Sequence, residues 1–209
     1  MVKILSKRRK SSTGLFGVRK GENPFDIKKY LTPRNIMIFL LLILLYFIFP
    51  KYIQAFILIL IFYPLTLFGA KTSKYLRGMN LNMDSPFTIF LGYHYGWQIG
   101  LFFGLGIGGY IWSLAGINQK TLVQIMTTSL SAYFGYLASI YFPHNFVLGY
   151  ILCSLARNIL TFLLYLLANP NFMGNLTHTS IDIFWGTFLM SIFLSILHDI
   201  IIFISPKGS

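Results

Sequence analysis

Six side chains set in otherwise apolar stretches offer chemistry: His94 and Gln98, four residues apart; Arg157 with Asn158 beside it; and the adjacent His198 and Asp199. An arginine or aspartate at membrane depth costs at least about 2.5 kcal/mol on insertion scales, so each needs a partner or a task. At about 1.5 Å per residue, His94 is expected about 12 Å, Arg157 about 18 Å and Asp199 about 8 Å from the inner ends of their helices. A long arginine side chain reaching inward would meet Asp199. Two readings are open. In one, Arg157 binds an anionic group or His198 and Asp199 relay a proton. In the other, Arg157 and Asp199 form an ion pair that locks two helices together, with His94 satisfied by Gln98 or a backbone carbonyl.

Enzyme signatures are absent. The sequence contains no His-Glu-x-x-His, no Gly-x-Ser-x-Gly, no paired aspartates spaced for magnesium and no Gly-x-x-x-x-Gly-Lys. Gly104, Gly106, Gly108 and Gly109 follow no Rossmann strand. His198 and Asp199 are neighbours rather than i and i+4, which is wrong for two metal ligands on one helix. No catalytic residue, metal or cofactor is expected.

The elements that must position these groups are membrane helices. With 56% hydrophobic and 11% charged residues in 209, the chain has too little polar surface to wrap a soluble domain of that size. One cysteine, Cys153, leaves no disulfide framework to read. Of seventeen Lys and Arg, ten precede residue 35, including the run Lys7, Arg8, Arg9, Lys10. Residues 1–35 read as a basic cytoplasmic tail, with Asn23 and Pro24 opening a short interfacial helix that Pro33 ends. The tail lacks the order of a signal peptide, and its charge serves orientation, so no specific nucleic-acid binding is expected.

The predicted fold is all-α: a polytopic membrane protein of six transmembrane helices, at 36–49, 52–70, 86–115, 121–142, 145–168 and 183–204, with both termini cytoplasmic. Residues 36–70 are too long for one upright span, and Pro50 with Lys51 supplies a turn. The third span carries Gly92, Gly96, Gly100, Gly104 and Gly108 at four-residue spacing, a groove where a second backbone can approach. Asp84, Ser85 and Pro86 would cap it, and Tyr110 and Trp112 would anchor its far end. Thr127, Ser131, Gly135 and Ser139 make the fourth span its natural partner. Residues 169–182 read as a polar loop bearing the sequon Asn175-Leu176-Thr177, and the last span holds the ladder Thr187, Ser191, Ser195 and Asp199.

The stretch from Asn82 to Leu91, running into Tyr95, Gly96 and the later glycines, resembles the S components of energy-coupling-factor transporters and the similar rod-shape-determining MreD family. The resemblance covers about 35 residues. It implies a six-helix membrane subunit that binds a small solute and works with a separate energising partner, and it carries over no binding residue. The lipid bilayer, a protein partner and a small-molecule ligand at His94, Gln98, Arg157, Asn158, His198 and Asp199 are therefore the expected contacts, most simply in the cell membrane. A non-catalytic scaffold docking partners through the basic tail is the alternative. A ligand-sized cavity at His94 or Arg157 would favour the first reading, and a filled interior the second.

Overall fold

In a computed structural model the chain is described over residues 50–75, 81–114, 116–168 and 170–204, together with helical positions at Asn35, Met37, Ile38, Leu40 and Leu41. The expected tail helix and the span at 36–49 fall outside the described residues, apart from those helical positions. The described part is helical. Its elements are α1 (Pro50–Tyr75), α2 (Asp84–Tyr95), α3 (Trp97–Leu101) running through a π-helical stretch π1 (Phe102–Gly108) into α4 (Gly109–Leu114), α5 (Gln119–Tyr141), α6 (Phe146–Ala168), and α7 (Phe172–Asp182) running through π2 (Ile183–Leu189) into α8 (Met190–Ile204).

By length and composition three helices can cross a membrane: Pro50–Ser73, Phe146–Ala168 and Phe172–Ile204. α5 has the length, at 23 residues, but a polar face of Thr121, Gln124, Thr127, Thr128 and Ser131, all buried against neighbouring helices. Such a helix belongs inside a bundle, where those hydroxyls find carbonyls: Ser131 Oγ donates to Thr127 O at 2.8 Å.

The expected single span at 86–115 is instead a helical hairpin. Trp112 Nε1 donates to Asp84 Oδ2 at 2.7 Å. Along one helix those residues would stand about 42 Å apart, so the chain must double back between them. It does so at Gly96, where φ is +99° and ψ 158°, a conformation that in practice only glycine adopts. The four-residue spacing then works across the turn. A Cβ at Gly100 would lie 3.0 Å from Gly92 N and from Thr88 O, and one at Gly104 would lie 3.0 Å from Thr88 Cγ2. Gly108 faces Asp84. The two arms are held backbone to backbone by the missing side chains.

α5 covers the hairpin as its small residues suggest: a Cβ at Gly92 would overlap the Ala132 carbonyl oxygen, and one at Gly135 the Ile89 carbonyl oxygen. On the other side α1 brings Phe62 to stack on Phe87 with centroids 3.9 Å apart, edge-on to Phe90 and Phe103. These buried rings, with Phe146, Tyr150 and Leu194, form the core.

Two further boundaries differ from expectation. α1 is helical from Pro50 through Pro64 to Tyr75, beyond the expected end at residue 70. The polar loop at 169–182 is mostly helix: Asn171 Oδ1 accepts from Gly174 N at 3.1 Å and caps α7, which continues without a break into the last membrane helix. Asn175 is 1% exposed, so the sequon offers no glycan site in this fold.

Because the hairpin returns to its own side, its two arms open toward one end of the bundle, here called the near end: residue 81 leads in from it and residues 116–118 lead out to it. Ser73 Oγ accepts from Leu81 N at 2.8 Å, so α1 finishes there. The hairpin tip lies at the far end, where Tyr93 OH donates to Phe142 O at 2.9 Å. The start of α1 and the end of α8 are also at the far end.

Candidate functional site

Asp84, Arg157 and Asp182 come from α2, α6 and α7 and are 1%, 3% and 3% exposed. Asp84 is the first residue of α2 but does not cap it; its Oδ2 accepts from Trp112 Nε1 and, at 3.2 Å, from Thr128 Oγ1, which shares a 2.8 Å bond with Ser85 Oγ. Arg157 Nη1 donates to Asn158 Oδ1 at 2.8 Å and pairs with Asp182 Oδ2 at 3.5 Å. Asn82 joins the two halves: with its amide nitrogen turned to Asp84 Oδ1, its oxygen accepts from Arg157 Nη2 at 3.2 Å and from Gln124 Nε2. Gln124 Oε1 accepts from Tyr165 OH at 3.1 Å.

A second arm of this network runs along α6 toward the far end. Asn158 Nδ2 donates to Thr187 Oγ1 at 3.2 Å, Thr187 bonds to Ser154 Oγ at 2.7 Å, and one turn on Tyr150 OH donates to the Gly186 carbonyl. That carbonyl lies in π2, where widening of the helix leaves carbonyls off the regular ladder.

The cluster lies at half the depth of the bundle. Thr128, the partner of Asp84, is about 14 Å from the near end of α5, Arg157 about 17 Å from that of α6, and Asp182 about 15 Å from the start of α7, at about 1.5 Å per residue. A hydrocarbon core of about 30 Å would have its midplane there. Arg157 Nε has no hydrogen-bond partner among the described residues, although it is buried.

The sequence candidates divide into two groups and two outliers. Arg157 and Asn158 are in the cluster. His94 and His198 meet at the far end, His198 Nδ1 standing 3.1 Å from His94 Nε2. Gln98 is exposed beyond the turn and is not the partner of His94. Asp199 is exposed, so the expected pairing with Arg157 is corrected to Asp182. Trp112, expected as an interfacial anchor, is a ligand of Asp84.

In sequence Asp84 suggests a cap and Asp182 a loop residue, and neither Gln124 nor Tyr165 belongs to a recognisable motif. One available signal was the run Asn175, Thr179, Asp182, Thr187, Ser191, all buried, whose single five-residue step is the π-helix. An apolar groove of about 200 Å³ lies between α5 and α6, lined by Phe134, Leu137, Tyr141, Leu152 and Cys153 among others, and it touches neither His94 nor Arg157. No metal-binding group of three or more His, Cys, Asp or Glu occurs among the described residues. No protein-family model, curated protein or solved structure matches the chain.

Proposed function

We propose that this membrane protein is a multi-pass transport subunit of the cell membrane, which binds a small solute at mid-depth and is energised by a separate partner. The observation that carries the reading is the convergence of Asp84, Arg157 and Asp182, from three elements, at the start of a helix that begins inside the bundle. Ionisable groups at that depth are costly and mark solute or ion pathways by default, and interrupted helices are the usual way to build such sites. The unpartnered Arg157 Nε is a donor that an oxygen of an incoming solute would satisfy. The S-component-like stretch implies a subunit of the same kind.

Orientation follows from charge. Lys71 and Lys120 are at the near end and Lys51 at the far end, so the near end faces the cytoplasm and the end of α8 faces outward. That differs from the cytoplasmic C terminus expected of six simple spans.

Native mass spectrometry of protein extracted gently from its own membranes tests the reading. A stoichiometric small molecule released on denaturation, and lost in Arg157→Ala, is the expected result. A second reading, the non-catalytic scaffold, is favoured by one observation: Arg157, Asn158, Gln124 and Thr187 are all buried and bonded within the protein's own network. It would be preferred if no ligand appeared and protein partners detached on removal of residues 1–35.

A further inference from the structure

The two histidines at the far end lie outside the cluster. His94 is on the last turn of α2, two residues before the tip, and His198 is on α8. Their nitrogens are 3.1 Å apart and their ring centroids 5.0 Å, so the rings meet nearly head to head. A hydrogen bond on that line needs one N–H and one lone pair. A neutral pair can make it, and so can a pair with one imidazolium. Two imidazolium rings cannot, because both facing nitrogens then carry protons.

The surroundings add no counter-charge between the rings. On α2, Tyr93 is 5.2 Å from His94 and 5.9 Å from His198, and Tyr95 is 6.0 Å from His94, ring to ring. On α6, Phe146 stacks on His198 at 4.6 Å, and Phe90 closes the other side of His94 at 4.5 Å. On α8 the acid next to His198 is Asp199, which is exposed and not between the rings.

We propose that His94 and His198 are a latch that holds the hairpin tip against the last helix with at most one shared charge, and that a second proton opens it. Tyr93 ties the tip to the turn between α5 and α6, through Phe142 O at 2.9 Å and Pro143 O at 3.3 Å, so release of the histidine pair frees the tip from α8. Tyr150 is stacked one turn along α6 from Phe146, with centroids 5.8 Å apart, and starts the polar chain that leads through Ser154, Thr187 and Asn158 to Arg157. The latch therefore lies beside the far end of the polar chain that leads to the cluster. The proposal does not depend on what, if anything, the cluster binds.

Opening takes up one proton from the singly charged pair and two from the neutral pair, so the open-to-closed ratio should rise by up to about tenfold per pH unit for each proton taken up as pH falls. The test uses the full-length protein in lipid nanodiscs, with Cys153→Ser and spin labels at Trp97→Cys and Ile202→Cys, both exposed positions. Pulsed electron-electron distances are recorded between about pH 8 and about pH 4, through and below the range in which free imidazoles titrate. A second, longer distance that grows in on acidification, and is absent in His94→Gln and in His198→Gln, is expected. A distance distribution that ignores pH, or one that shifts equally in both variants, overturns the latch. Nitrogen-15 histidine NMR of the unsubstituted protein gives an independent answer: a coupled two-step titration of the pair is expected, and two independent one-step curves contradict it.

Discussion

Arg157 divides its donors among Asn158, Asp182 and Asn82, and Asn158 and Asn82 are themselves held by other elements, through Thr187 and Gln124. Removal of the guanidinium would leave Asp182 without the arginine it faces, and loss of one partner of a buried pair costs about 3–5 kcal/mol. Arg157→Ala should therefore lower unfolding stability in detergent by about 3 kcal/mol, and Asp182→Ala added to it should cost much less than it does alone, because the two share one interaction. Asp199→Ala, at an exposed position, should change stability by no more than about 0.5 kcal/mol and add independently. Additive losses for Arg157 and Asp182 would contradict the pairing. The sequence pointed to Arg157 but paired it with Asp199 through a strict four-residue ladder. A helix turns about 100° per residue, so each four-residue step drifts about 40°, and three steps from Thr187 carry Asp199 about 120° off the buried face. Thr187 and Ser191 are buried, Ser195 is half-buried and Asp199 is exposed, in the order of that drift.

At the scale of the element, the glycine stripe was legible and its geometry was not. Four-residue spacing says that backbones come close; it does not say whether the second backbone belongs to another helix or to the same chain after a turn. Gly96 resolves this, because only there is the backbone in a glycine conformation within the stripe. Gly96→Ala should destabilise by about 1–3 kcal/mol although no atom stands within 4 Å of the new methyl group. Gly92→Ala should be worse, as its methyl would overlap a carbonyl of α5, whereas Gly106→Ala, whose nearest neighbour is Phe102 at 4.0 Å, should be neutral or slightly stabilising. Thermal melts of the three variants in one detergent check the order, and a Gly106→Ala as harmful as Gly92→Ala would argue against the hairpin contacts. The start of α7 was hidden for a different reason. Pro170, Gly174 and a run of polar residues read as loop, yet Asn171 caps a helix whose last residue, Asp182, pairs with Arg157.

At the scale of the molecule, membrane character was plain from composition, whereas the path of the chain was not. Charge counting cannot detect the hairpin. Six simple spans would put Lys120 on the outer side and Lys207 on the inner; a hairpin at 84–114 exchanges the two and leaves the total on each side unchanged. On the proposed multi-pass reading, the hairpin reverses every described element after it relative to six simple spans. A reporter fused after α8 should therefore be read on the side opposite Lys71. The direct measurement is labelling of single cysteines, on a Cys153→Ser background, with a membrane-impermeant maleimide in sealed, oriented vesicles. Lys71→Cys and Ile117→Cys are both exposed, and they bracket the hairpin. Labelling of both from one side, with Tyr141→Cys labelled from the other, is the expected result. Labelling of Lys71→Cys and Ile117→Cys from opposite sides would mean that residues 84–114 cross the membrane once, and the meeting of Asp84 with Trp112 and Arg157 would fall with it.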